Sequence, residues 1–400
     1  MLASLALVIL IGLLFAFFCQ KIGLPRIIGM LLTGILLGPC CLNLLDGNLL
    51  GISAELRKIA LIIILIKAGL SLRLSDFKTV GRPALLMSFV PACFEILAYV
   101  LLAPALLGIN RVEAAVMGAV MGAVSPAVVV PRMVELIERK LGTSKKIPQM
   151  LLAGASLDDV FVIVLFTSFC GMAQGQTVSV STLANVPVSI LLGIALGAVC
   201  GRGLGLLFEA RHRGGNSVRG SVKVLLILGL SFALMTVESL LEGTLPLSGL
   251  LAVMGMACTL AATCRGEVRS DLSAKFGKLW LGAEILLFVL VGAAVDIRAT
   301  LSAGPAALLL IVLALALRSV GVWLCMAGTH MNSGERLYCM LAYLPKATVQ
   351  AAIGAVPLSL GLSCGPVVLS VAVLGILFSA PLGAICMDKT ASRLLEREKA

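Results

Sequence analysis

Apolar positions in this chain come in long unbroken runs, not in the alternation of a strand or the once-per-turn stripe of a soluble helix, and the polar positions gather between the runs. The first stretch, MLASLALVILIGLLFAFFCQK, carries no charge before Lys21. A helix rising 1.5 Å per residue needs about 20 such residues to cross a hydrocarbon layer of about 30 Å. Apolar segments fall near 2–19, 25–42, 52–71, 82–107, 113–136, 148–172, 186–208, 220–239, 246–264, 275–296, 303–327, 334–356 and 363–387. The pattern predicts an all-α polytopic membrane protein with about thirteen transmembrane helices. The short alternating segments of a membrane β-barrel are absent. No connecting loop is long enough for a soluble domain, so residues 1–400 read as one transmembrane domain. The first run has no basic leader and no A-x-A-like cleavage site, so it is expected to be an uncleaved span.

Composition agrees: 60% of residues are hydrophobic and 13% charged, which excludes an ordinary soluble domain. The net charge of +11 would suit nucleic acid, but no nucleic-acid motif accompanies it, and its distribution points to the membrane. With the N-terminus outside and thirteen spans, 24 of the 31 Lys and Arg fall in loops on the inner side. Four fall outside (Arg57, Lys58, Arg111 and Arg298), and Lys67, Arg318 and Lys346 lie within spans. A wrong span count would scramble such a split, so N-out/C-in is the expected orientation. The 12 cysteines sit mostly in apolar runs, with no CxxC and no Cys/His ligand spacing, so no resident cofactor is expected.

An odd span count divides as six, one and six, which inverts the second six relative to the first. Inverted repeats of this kind hold their sites where broken helices meet. The fifth segment contains MGAVSPAVVVPRM, with Pro126 and Pro131; its counterpart, the twelfth, contains AYLPKATVQAAIG, with Pro345 and Lys346. Proline removes a helix hydrogen bond and clashes with the preceding turn, so both helices are expected to break. The fourth segment carries a lone acid, Glu95, and its counterpart, the eleventh, a lone base, Arg318. Unpaired, each would be costly, so they should pair with each other or with other intramembrane charges.

The central chemistry lies in LLAGASLDDVFVIVLFTSFCGM, residues 151–172. Asp158 and Asp159 are adjacent, and a charge in a membrane helix costs roughly 2.5–3.5 kcal/mol on insertion scales. Neighbouring helical positions point about 100° apart. One carboxylate can therefore face an ion while the other faces a neighbouring helix. Two acids in low dielectric resist joint ionisation, which suits an exchange of a proton for a small cation. Oxygen ligands suit hard cations such as Na⁺ and Li⁺. Ser125 adds a hydroxyl, freed backbone carbonyls add further oxygens, and Lys346 could neutralise facing helix C-termini. Lys67 is expected to snorkel to headgroups and Asp296 to lie at the interface. Gly29, Gly34 and Gly38 suit close helix contact. A channel would need rings of lining residues, and an aspartyl protease would need its acids on separate helices.

These motifs together resemble the monovalent cation:proton antiporters of the NhaA/NapA type, over nearly the whole chain. GLPRIIGMLLTGILLGP, AVSPAVVVPRM, GASLDDV and YLPKATVQAAIG carry the resemblance, and the second and fourth look most like the NHA-type sodium/hydrogen exchanger branch. The resemblance implies a homodimer with a moving core, 82–172 and 303–387, and a dimerisation and linker part, 1–71 and 186–296. It implies Na⁺ or Li⁺ exchanged for H⁺ by alternating access, with membrane lipid as a further partner and no cofactor. The short termini and absence of targeting segments lead to the expectation of a bacterial inner membrane, with an organelle as the alternative. Asp159 would be the principal cation ligand, Asp158 the second carboxylate, and Arg318 would stand where relatives pair a lysine with the first aspartate. Ser125-Pro126 departs from relatives that carry a third acid in the first broken helix, and arginine at 318 cannot serve as a proton carrier. A K⁺/H⁺ antiporter or an organic-anion/sodium symporter of similar fold is the alternative.

Overall fold

Hydrocarbon offers no partners for backbone N–H and C=O groups, so a chain this apolar must satisfy them within helices or a closed barrel. The computed structural model describes residues 1–71, 81–174, 180–213, 218–241, 247–264, 266–295 and 297–397. Asp296 lies outside the described residues. Regular structure among the described residues is helical, with one isolated bridge between Leu141 and Arg397. The helices are α1 Leu2–Lys21, α2 Arg26–Leu37, α3 Gly47–Gly51, α4 Ser53–Ser71, α5 Arg82–Met87, α6 Val90–Leu107, α7 Arg111–Gly122, α8 Pro126–Glu138 and α9 Ile147–Ala173. They continue as α10 Val180–Arg213, α11 Gly220–Leu241, α12 Gly249–Thr263, α13 Gly266–Ala293, α14 Ile297–Cys325, α15 Ser333–Ala342, α16 Thr348–Ile353, α17 Val356–Ser359 and α18 Gly365–Leu394.

Nine candidate spans among the described residues are long and apolar enough to cross a bilayer, where the hydrophobic pattern counts thirteen. The other four segments fall on shorter or more charged helices. α2 and α12 are short, α15 to α17 are interrupted, and α4 carries Glu55, Arg57, Lys58 and Lys67.

The chain divides into two compact units. The first comprises residues 1–57, 74–174 and 285–400. In it α6 packs along α14 and α7, α9 lies against α7 and α8, and α18 against α14 and α15. Small residues permit the closest approaches: a Cβ on Gly29 would stand 2.4 Å from the Phe15 carbonyl, and one on Gly34 still closer to the Val289 carbonyl. Arg57 is buried and donates to the Leu290 carbonyl.

The second unit comprises residues 58–73 and 175–284. Here Lys67 places its ammonium over the Trp280 ring, 5.6 Å from the centroid. α10 lies along α12, and the contact is made by Gly193, Gly197 and Gly201, spaced four apart on one face. Added Cβ atoms there would meet the carbonyls of Ser248, Ala252 and Met256 at 2.5, 2.1 and 2.2 Å. Backbone cannot yield as a flexible side chain can, and small residues are what let membrane helices pack this closely. Gly197→Val should therefore separate α10 from α12. Its expected outcome is loss of most folded protein in detergent size-exclusion chromatography, whereas Gly229→Ala, which meets nothing within 4 Å, should be recovered like the parent.

Candidate functional site

Both first half-helices start in the same way. Asn110 and Glu113 form a reciprocal capping box at the N-terminus of α7, and Asn332 and Glu335 form one at α15. Each glutamate also takes a donor from the loop preceding a later helix: Ser363 donates to Glu113 and Lys145 to Glu335, at 2.5 and 2.9 Å. These anchors fix two helices that then stop inside the protein.

α7 stops at Gly122, Ala123 to Ser125 are extended, and Pro126 opens α8. Proline at the first helical position costs nothing, because that N–H has no intrahelical partner anyway. The break is thus at 123–125. Pro131 lies inside α8, beyond it. α15 stops at Ala342, and Tyr343 to Ala347 are non-helical before α16 starts at Thr348. Pro345 sits in this second break and disfavours helix at Leu344 before it. The two stretches meet: the Ser125 N–H donates to the Pro345 carbonyl at 2.8 Å, and the Thr348 N–H approaches Ser125 Oγ at 3.5 Å. The Lys346 N–H is held by Ser379 Oγ of α18 at 3.0 Å.

Stopping a helix leaves carbonyls unpaired and a partial negative charge at its C-terminal end. Here cations and an amide fill that need. Arg318, on α14, donates from Nε to the Tyr343 carbonyl at 2.9 Å and from Nη1 to the Gly122 carbonyl. Lys346 Nζ donates to the Ala123 carbonyl at 3.1 Å. Gln350 Nε2 donates to the Ala123 and Met121 carbonyls, at 2.9 and 3.5 Å, while its Oε1 accepts the Ala347 N–H. The carbonyls expected to be free for a cation are therefore largely occupied.

The same two cations meet the acids. Glu95 Oε2 accepts from Arg318 Nη1 at 2.7 Å and from Lys346 Nζ at 2.5 Å. Asp158 Oδ2 accepts from Arg318 Nη2 at 2.9 Å and from the Val124 N–H at 2.8 Å. The choice left open between Glu95 and Asp158 as partner of Arg318 resolves as both. Glu95, Asp158, Arg318 and Lys346 are all 0% exposed, and each of these two acids is ion-paired through one oxygen while its other oxygen has no partner; Asp159 is 7% exposed and its Oδ1 has no hydrogen-bond partner. Two cations thus balance two acids in a fully buried frame. Asp159, one residue along α9 and turned away by the helical pitch, stands outside that balance.

The structure brings Asp158, Asp159, Ser125, Pro126, Pro345, Lys346, Glu95 and Arg318 to one region and leaves Pro131 aside. Sequence reasoning missed Tyr343, whose carbonyl and ring both meet Arg318, the ring centroid 5.4 Å away. It also missed Gln350, Ser379 and Thr348. Gln350 carried a signal: a side-chain amide in an apolar stretch needs partners as surely as a charge does.

Comparison with known proteins bears on the family and the fold. The family described as sodium/hydrogen exchanger, transmembrane, matches residues 5–388. Human sodium/hydrogen exchanger 9B2 is 32% identical over 417 residues, covering 97% of this chain and 75% of that protein. Human sodium/hydrogen exchanger 9B1 is 30% identical over 364 residues, covering 86% and 67%. The solved structure of the sodium proton antiporter MjNhaP1 from Methanocaldococcus jannaschii at pH 8 covers 98% of each chain with a TM-score of 0.84 at 20% identity, which shows a shared fold. The chain belongs to the sodium/hydrogen exchanger family. It is a multi-pass membrane transporter of a monovalent cation and proton antiport family, not an enzyme.

Proposed function

We propose that this protein exchanges Na⁺ or Li⁺ for H⁺ by alternating access, with Asp159 as the group that carries either the proton or the cation and Asp158 as its second carboxylate. One observation carries this reading. The buried charges pair off among themselves, Glu95 and Asp158 with Arg318 and Lys346, and leave Asp159 outside these pairs with slight solvent access. Deprotonated, Asp159 is an unbalanced charge that a hard cation neutralises; protonated, it is balanced already. Each state is electrically closed, so each can cross the membrane, and the empty anion cannot. Arg318 keeps its proton. The exchange then runs one for one.

Thirteen spans, two inverted six-helix repeats and an N-out/C-in orientation are part of the proposal. The matched Asn-x-x-Glu caps of α7 and α15 support the repeats, since each opens a helix that breaks at its far end. A homodimer and placement in the plasma membrane follow from the same reading.

The test is proton movement in everted vesicles from a host without its own antiporters, with Na⁺, Li⁺ and K⁺ added in turn. Na⁺ and Li⁺ should dissipate the proton gradient and K⁺ should not, and clamping the membrane potential should leave the rate unchanged. A response to K⁺ alone would favour potassium exchange, and a rate that follows the potential would overturn one-for-one exchange.

A further inference from the structure

An alkali cation leaving water must have its hydration shell replaced by several oxygens. Broken helices ordinarily supply carbonyls for this, but here the carbonyls of Met121, Gly122, Ala123, Tyr343 and Pro345 already accept protein N–H donors. Asp158 Oδ2 is taken by Arg318 and the Val124 N–H. With these carbonyls engaged, side-chain oxygens are a needed further source of ligands.

Asp158 Oδ1, Asp159 Oδ1 and Thr348 Oγ1 are buried at the crossing without a partner; the Tyr343 hydroxyl is also unpartnered, but it lies against Gly154, a turn away along α9. Glu95 Oε1 is unpartnered too, but its carboxylate is already held by two cations, which repel a third. Thr348 is 1% exposed. A helical threonine usually satisfies its hydroxyl on the carbonyl one turn back, as Thr33 does with Gly29. Thr348 opens α16, so the residue one turn back belongs to the non-helical stretch and its hydroxyl finds no such acceptor. Its location is tied to the acids by two contacts on neighbouring residues: Asp158 holds the Val124 N–H, and the Thr348 N–H approaches Ser125 Oγ. Consecutive Cα atoms are only about 3.8 Å apart.

We infer that the Thr348 hydroxyl is a ligand of the transported cation, contributed by the second broken helix, beside the Ser125 hydroxyl of the first. The inference rests on the proposed exchange at Asp159 and adds a determinant of cation affinity to it. A hydroxyl offers an oxygen without a charge, so it strengthens cation binding without adding an acid that would disturb the one-for-one balance. It also leaves proton binding at Asp159 unchanged, which separates its role from that of the carboxylate.

Thr348→Val keeps the shape and removes the oxygen; Thr348→Ser keeps the oxygen and removes a methyl. In the vesicle assay, with Na⁺ varied, Thr348→Val should raise KM for Na⁺ about tenfold, the scale of one lost polar contact of about 1.4 kcal/mol. Its maximal rate at saturating Na⁺ should stay near that of the parent, and Thr348→Ser should restore the parent KM. An unchanged KM in Thr348→Val overturns the assignment. So does a serine variant as impaired as the valine one, because the methyl and not the oxygen would then matter. Asp159→Asn is run alongside: if it still exchanges Na⁺ for protons, the reading of the site has failed, and the Thr348 assignment falls with it.

Discussion

Asp159→Asn should abolish cation-driven proton movement and leave the protein folded. The substitution nearly preserves shape, and Asp159 Oδ1 holds no hydrogen bond to lose. Removing a carboxylate from a membrane interior also relieves its desolvation cost, so stability should hold or rise. What disappears is, among the described residues of the site, the one acid outside the ion pairs of the surrounding frame. An amide can neither take up a proton in this pH range nor neutralise Na⁺. The expected result is a normal size-exclusion profile with Na⁺-dependent and Li⁺-dependent flux at the level of empty vesicles. Asp158→Asn should behave differently. It takes one carboxylate from Arg318 while leaving the guanidinium on Glu95 alone, so folded yield should fall along with transport. Sustained Na⁺-dependent flux in the Asp159 variant would show that the shared site lies elsewhere.

The residues of this site could be read from the sequence because the membrane makes each of them conspicuous. Asp158, Asp159, Glu95, Arg318 and Lys346 stand in apolar runs where a charge is expensive, and the prolines beside Ser125 and Lys346 mark the breaks. What could not be read is who meets whom. The partners of Arg318 lie 223 and 160 residues away along the chain, and local pattern carries no register between segments so far apart. Pro126 and Pro131 are alike as letters. Only their position relative to the helix start separates them, since a proline that opens a helix forfeits no bond. The freed carbonyls are a further case: the sequence marks the break, but only the fold reveals that Arg318, Lys346 and Gln350 fill it. Length and apolarity alone mark a span least clearly where a helix is interrupted or charged, as in α15 to α17 and in α4. Fold class needed none of this, because unbroken apolar runs admit only helices.

Glu95→Gln should destabilise the protein sharply, and a second change should rescue it. Glu95 Oε2 receives both Arg318 and Lys346, and all three side chains are 0% exposed. Removing its charge leaves two buried cations facing Asp158, with Asp159 the only other acid of the site among the described residues. Breaking one side of a buried ion pair costs roughly 3–5 kcal/mol, mostly because the partner is left uncompensated. The single variant should lose folded protein at temperatures the parent survives, read as the fraction remaining monodisperse after heating in detergent. Lys346→Met alone leaves Glu95 on Arg318, with the Ala123 carbonyl still served by Gln350, and should cost less. Combining the two leaves Arg318 against Asp158, one charge of each sign. The double variant should therefore be more stable than Glu95→Gln alone, with a coupling of roughly 1–3 kcal/mol, the range found for residues in one ion-pair network. If the two losses simply add, Glu95 and Lys346 do not depend on each other, and the charge balance that sets Asp159 apart as the variable group does not hold.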